Sequence, residues 1–302
     1  MLKRAGRWLG IGTAVFAGIV AVALAVLYFV ERSDLEATYE IEPEEFEIPT
    51  GDEAVAEGER LFNARMCVEC HGEDAGGSVL ADMWAMTLVP ANLTVVAEPF
   101  SSSDFARAVR HGVSPSGRAY VHMPVDDRMW NISDRDLGHI VAYLRSLPAV
   151  QRSLPATELK FWGMIFDAVG MVPVPMIPSS VIDHEAPRPE PPEIAETAEF
   201  GRYVMLVTGC QLCHAANLSG GPVPMMPEED GIPPNITLHE SGLAGWSRED
   251  FVRVFREGRR PDGTEINREQ MSLDAMGHLT DTEIGALWAH IETVEPAEYG
   301  VH

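Results

Sequence analysis

Two five-residue runs constrain this chain more than anything else in it: Cys67-Val68-Glu69-Cys70-His71 and Cys210-Gln211-Leu212-Cys213-His214. Each has the C-x-x-C-H spacing through which a haem is attached covalently. One helical turn places two thiols where each can bond a vinyl group of a porphyrin. The adjoining histidine then lies under the ring, with its imidazole in reach of the iron. The two runs use all four cysteines of the sequence. The rival meanings of C-x-x-C are half a zinc site and a thioredoxin-like redox pair. Zinc would join the halves into one compact site, whereas each run sits inside its own domain-sized repeat. A redox pair does not call for a following histidine at both places. The expectation is therefore two haem c groups, covalently held by Cys67, Cys70, Cys210 and Cys213, with His71 and His214 each supplying one axial ligand.

The repeat is visible residue by residue. At an offset of 143, Cys67, Cys70, His71, Pro90, Asn92 and Thr94 fall on Cys210, Cys213, His214, Pro233, Asn235 and Thr237. At an offset of 146, Asp104, Phe105, Arg107, Arg110, Gly112, Pro115 and Gly117 fall on Asp250, Phe251, Arg253, Arg256, Gly258, Pro261 and Gly263. Ordered identities of this kind, both attachment sites included, mark two copies of one unit. In the first copy, helix formers and the apolar positions Val55, Leu61 and Phe62 predict a helix over 53–65 leading into Cys67. Gly58, one turn before Phe62, lets a last helix carrying Ile140, Tyr143 and Leu144 cross closely. Ser133-Asp134-x-Asp136 caps the start of that helix.

Each iron needs a sixth ligand or stays open. Met123 ends a glycine-marked loop just before Pro124; Met129 and His122 are its rivals, the latter giving a bis-histidine iron. In the second copy the choice lies between Met271 and Met276. Met123 precedes Asp134 by 11 residues and Met271 precedes Asp281 by 10, which pairs Met123 with Met271 and Met129 with Met276. Met123 and Met271 are the expected ligands. Thioether ligation raises the reduction potential and leaves no substrate position. Arg110 and Arg256, equivalent in the repeat, are candidates for propionate binding or for a structural ion pair. Asn92 and Asn235 are candidates for a haem-pocket role. The remaining histidines, 111, 139, 184, 239, 278, 290 and 302, have no pairing that marks them as ligands.

Leu9 to Val30 is uncharged for 22 residues, roughly 33 Å as a helix and enough to cross a bilayer. Lys3, Arg4 and Arg7 precede it, so the positive-inside rule leaves the N-terminus cytoplasmic and the rest on the periplasmic side of the inner membrane. A cleaved signal peptide is the alternative, with Ala23-Leu24-Ala25 as a processing site. The formal charge is −24. Such a surface repels nucleic acid and steers towards a partner with a basic docking surface; solubility in a salty habitat explains it equally well.

The expected organisation is all-α: a basic flank and transmembrane anchor (1–30), an acidic tether (31–51), a first haem domain (52–149), a connector (150–196) and a second haem domain (197–302). Leu159–Val172 is expected as a short apolar helix between the domains, with Met164, Met171 and Met176 as packing residues, and residues 186–192 as an extended proline-rich stretch. With these residues the chain resembles a tandem class I cytochrome c. The segments Pro234-Asn235-Ile236-Thr237, Gly245-Trp246-Ser247-x-Glu249-Asp250-Phe251 and Arg256-Glu257-Gly258 are similar to the cytochrome c subunit of membrane-bound bacterial alcohol, aldehyde and gluconate dehydrogenases. That resemblance implies an electron relay rather than an enzyme, serving a membrane-embedded or membrane-associated redox complex: a dehydrogenase, a respiratory complex or oxidase, or a photosynthetic reaction centre. The chain has two attachment runs where those subunits have three, and adds an N-terminal anchor. The alternative is a di-haem redox enzyme of the peroxidase or thiosulfate dehydrogenase type, which needs an open iron or an unusual ligand such as a spare cysteine. A haem sensor or assembly subunit is a third reading, with no kinase-like, cyclase-like or coiled-coil segment to accompany it.

Overall fold

The computed structural model describes residues 2–123, 127–172, 174–223 and 231–301. Pro124 lies outside them. Twelve α-helices, two short 3₁₀ turns and three short strands occur among the described residues, so the fold is mostly helical as expected. The first half contains α1 (Leu2–Glu36), α2 (Asp52–Ala64), α3 (Cys67–His71), β1 (Ala81–Asp82), β2 (Met86–Leu88), α4 (Leu93–Val96), α5 (Ser102–His111) and α6 (Asp134–Ser146). Next come β3 (Glu158–Leu159) and α7 (Phe161–Ala168), followed by α8 (Ala198–Thr208), α9 (Cys210–His214), α10 (Arg248–Glu257), α11 (Leu273–Met276) and α12 (Asp281–Ile291).

The same local chemistry builds both halves. Ser101 and Ser247 cap α5 and α10 in reciprocal boxes with Asp104 and Asp250, each satisfying helix-end donors that would otherwise be orphaned. Ser133 accepts from the Asp136 amide to open α6, and Thr280 does the same for Glu283 at α12. The predicted close crossing is present. A methyl group on Gly58 would overlap the His139 carbonyl of α6, and one on Gly201 would overlap the Ala286 carbonyl of α12. Phe62 packs against Tyr143 with ring centroids 5.6 Å apart.

Each half has its own apolar core, one around Leu61, Phe62, Phe105, Ile140 and Val141, the other around Phe200, Val204, Phe251, Ile284 and Leu287. The boundary between them is not clean, because Ala64 and Met66 of the first half pack into the second core. A buried charge cluster seals the contact. Arg65 donates to Asp136 at 2.9 Å and to Glu283 at 2.7 Å, and lies over the Tyr203 ring. Around it Arg60 bonds Glu283, while Tyr203, its equivalent at an offset of 143, donates to Asp136.

Two expectations about the linking segments are corrected. Residues 31–36 continue α1, supported by the Arg32–Glu36 pair one turn apart. The acidic stretch that follows is packed rather than a free tether. Thr38 bridges Arg118, Phe46 and Ile48 cover the first core, and Glu44 pairs with buried Arg110 and with Arg188. A carboxylate meeting a buried guanidinium outweighs the repulsion among its acidic neighbours. Helix α7, in turn, lies not between the halves but against α1, with Phe161 on Tyr28 and β3 extending the β1–β2 hairpin into a three-stranded antiparallel sheet. Met164 and Met176 are packing residues, whereas Met171 is exposed.

Candidate haem sites

Helices α3 and α9 are five-residue turns held at both ends by left-handed backbone. The residue before each first cysteine is left-handed, Met66 at φ 65° and Gly209 at φ 82°; so is the residue after each histidine, Gly72 at 78° and Ala215 at 66°. All four pairs of positions in this loop that need positive φ recur at the offset of 143, ending with Gly77 and Gly220. At three of the four pairs a non-glycine residue accepts the strain in at least one copy, the pattern expected when a functional turn dictates the backbone.

These turns bury both histidines and orient them alike. Nδ1 of His71 lies 2.9 Å from the Ala91 carbonyl, and Nδ1 of His214 lies 2.8 Å from the Pro234 carbonyl. A carbonyl can only accept, so Nδ1 carries the proton and Nε2 keeps a free lone pair, the tautomer an iron ligand needs. Burial pushes both imidazole pKa values down and so favours that neutral form.

The cysteines are half-covered, and burial pushes the thiols of Cys67 and Cys210 up to about 12. A structural zinc site gathers four ligands around one point, and no cluster of three or more histidine, cysteine or acidic side chains suited to a metal ion occurs among the described residues. Paired thiols one turn apart, facing a largely apolar space, suit thioether bonds. In the second half that space is a cavity of about 990 Å³ lined by Cys210, Cys213 and His214 together with Met271 and Met276. Its chemistry fits a haem: two thiols and one imidazole, thioethers among the other lining residues, an apolar part that includes Phe251, Phe255 and Leu287, and a polar part that includes Arg260, Asn267 and Gln270.

In the first half Met129 is buried in the core against which Cys67 packs. Met123 is half-buried and stands outside that core. Its neighbour His122 is left-handed at φ 58° and donates its amide to the Met176 carbonyl. The His122 Nδ1 atom is buried without a hydrogen-bond partner.

Arg110 and Arg256 both make structural ion pairs. Arg110 bonds Glu44, Asp134 and the Ile132 carbonyl; Arg256 bonds Asp281 and the carbonyls of Gly277 and Leu279. Each thus ties its helix, α5 or α10, to the start of the last helix. Asn92 and Asn235 fold their own turns, accepting from both the amide and hydroxyl of Thr94 and Thr237. Their amide groups also reach the Val150 and Ala297 carbonyls beyond the last helices.

One residue near both sites carried no signal in the sequence. Arg128, buried beside Met129, packs its guanidinium against Gly209 at the head of α9. Burial raises all four thiols, and the Arg128 charge opposes that rise at every one of them. It therefore stands between the two attachment turns. A single arginine within a 3₁₀ turn has no repeat partner to draw attention to it.

Residues 55–148 match the family model named Cytochrome c. They are a cytochrome c domain. The second half reproduces that domain's attachment turn, histidine orientation, arginine tie and asparagine clamp. Across 287 aligned residues the chain is 26% identical to a protein of Cereibacter sphaeroides named "Diheme cytochrome c-type", covering 85% of this chain and 90% of that one. It is 24% identical over 308 residues to the gluconate 2-dehydrogenase cytochrome c subunit of Pantoea cypripedii, covering 91% of this chain and 64% of the relative. A shorter match, 30% over 105 residues, joins 32% of the chain to 21% of the fructose dehydrogenase cytochrome subunit of Gluconobacter japonicus.

Proposed function

We propose that the protein is a membrane-anchored di-haem cytochrome c that passes single electrons between a donor and a redox complex, with no catalytic residues of its own. Cys67 and Cys70 hold one haem and Cys210 and Cys213 the other. His71 and His214 would each supply one ligand to the iron, and Met123 and Met271 the second. The observation that carries this reading is the matched pair of histidines, each with Nδ1 committed to a carbonyl 20 residues onward and Nε2 free. When bound, each haem supplies a one-electron couple. The chain's own part is to orient the imidazoles, exclude water through its apolar lining, and raise the potential through neutral thioether ligands and the Arg128 charge.

The acidic surface favours a partner with a basic docking face. Relatives named as cytochrome subunits of gluconate and fructose dehydrogenases support a dehydrogenase complex as that partner. Helix α1 contains a span of mean hydropathy 2.5 with no buried part, which supports an anchor. The basic residues ahead of it support a periplasmic side for the haem halves.

One observation favours a variant at the first haem. The unpartnered buried Nδ1 of His122 is a ring nitrogen that an iron would satisfy. Optical spectra of the oxidised and reduced protein, with the weak long-wavelength band of methionine-ligated ferric haem and with carbon monoxide added, decide among these. Methionine bands for both haems and no carbon monoxide binding support the carrier with Met123 and Met271. Loss of one band without carbon monoxide binding assigns His122. A high-spin haem that binds carbon monoxide at once overturns the carrier and leaves the enzyme. Mass spectrometry of the intact chain counts the haems.

A further inference from the structure

The β1–β2 hairpin turns at Met83-Trp84-Ala85 and holds that tip in the open. Trp84 is 65% exposed, and Trp162 on α7 is 43% exposed. Their rings meet edge to face at 6.4 Å, and Trp84 also meets Phe166 at 5.7 Å. Leu80, Met83 and Phe161 are exposed beside them. Two tryptophans held together in water are not a core and contribute to no haem site.

The patch is built rigidly. The Lys160 amide donates to the Ala85 carbonyl at 3.0 Å, and its ammonium group donates to the Met83 carbonyl at 2.7 Å. A methyl group on Gly163 would overlap the Ala85 carbonyl, so α7 lies directly on the hairpin. The patch is also continuous with α1. Phe161 packs on Tyr28 at 5.3 Å, and Tyr28 packs on Phe29 at 5.4 Å. Tyr28 and Phe29 fall in the last turn of the apolar run that ends at Val30. At about 1.5 Å of rise per residue they stand where hydrocarbon gives way to headgroups. Tryptophan is at home at that level, its ring in the apolar layer and its N–H in the wet one.

We propose that the hairpin tip and α7 form a second membrane contact, seated in the headgroup–hydrocarbon boundary of the bilayer that α1 crosses. The inference rests on the anchor reading of α1. The occupant is lipid rather than a protein subunit because the patch adjoins the segment already in lipid, at its boundary depth. Lys160 and Asp82, at the rim, supply the charged edge that faces headgroups. Because β2 leads within three residues to Ala91, the acceptor for His71, seating the hairpin also fixes the first haem site relative to the membrane.

Spin labels test this in the full-length holoprotein in phosphocholine nanodiscs. The native cysteines are committed to haem, so Trp162→Cys and Leu80→Cys each offer one free thiol. Val20→Cys in α1 and Arg253→Cys on α10 serve as lipid and water references. Power saturation with oxygen and a nickel chelate should give the labels at 80 and 162 oxygen-to-nickel accessibility ratios several-fold above that at 253 and approaching that at 20. A water-like ratio at 80 and 162 with a lipid-like ratio at 20 overturns the seating and leaves the anchor intact. Labels shielded from both reagents are covered by protein and overturn it too. A water-like ratio at 20 removes the anchor and the inference with it. An optical spectrum of each variant identical to that of the parent shows that the fold and haems are kept.

Discussion

Asp136 and Glu283 occupy the same position of the last helix in the two halves, and both accept from the single guanidinium of Arg65. Each is the third residue of its helix, each bonds its own cap, and all three side chains are almost wholly buried. Removing one partner leaves a buried charge uncompensated, which costs about 3–5 kcal/mol. Arg65→Met is expected to lower the urea midpoint by that equivalent and to lose cooperativity between the halves. The triple replacement Arg65→Met, Asp136→Leu, Glu283→Leu should recover most of the loss. A single variant no less stable than the parent would show that the cluster does not hold the halves together.

The same cluster sets an acid limit. Burial alone would raise Asp136, but Arg65 and Arg135 hold its carboxyl down at about 2, and Arg65 and Arg60 hold Glu283 below its ordinary value. A carboxylate depressed on folding contributes stability that is fully present above its unfolded pKa and lost as pH falls through the folded one. For Asp136 the loss therefore falls between about pH 4, where the unfolded carboxyl titrates, and about pH 2. Urea midpoints measured across this window should fall with pH in the parent and much less in Asp136→Asn.

Replacement of the proposed ligands separates coordination from packing. Met271→Ala and Met123→Ala should each abolish one methionine band, open that iron to carbon monoxide and lower its potential. Met276→Ala and Met129→Ala should keep both bands and cost about 2–5 kcal/mol of stability, as buried truncations do. The reverse pattern would exchange the assignments.

Arg128 places a buried positive charge between the two sites, where it favours the reduced state of both. A unit charge about 10 Å from a redox centre, at an effective dielectric of about 20, is worth on the order of 1–2 kcal/mol per electron. Arg128→Gln should therefore lower both potentials by about 59 mV, a tenfold shift for a one-electron couple. Potentiometric titration that moves only one haem would assign the charge to that haem alone.

The helix crossings have no slack. Gly201→Ala and Gly58→Ala each force a methyl group into a facing backbone carbonyl, an overpacking expected to cost about 1–3 kcal/mol. Thermal unfolding followed in the haem absorption checks this; a neutral effect would mean that the helices separate freely.

Much of this arrangement was legible in the residues. The motif spacing and the offsets gave the haem turns, the doubling of the fold and the capped last helices, because each depends on local chemistry repeated twice. Gly58 announced the first helix crossing through its place one turn before Phe62. What stayed hidden is what breaks the repeat. Arg65, Tyr203 and Arg128 act across the boundary between the halves, and no pattern within either half shows where the other will lie. Glu44 reads as one more acid in a charged stretch until Arg110 is found buried opposite it. Helix α7 reads as a spacer because its apolar face finds α1, some 130 residues earlier in the chain, rather than the domains on either side of it.

Position 65 is arginine, but its equivalent at 208 is threonine. A chain made of two first halves would crowd two guanidinium groups into one buried pocket; one made of two second halves would leave two acids there with no cation. The copies have ceased to be spares for each other. With position 65 cationic and position 208 neutral, the cluster is complete only when a first half is joined to a second.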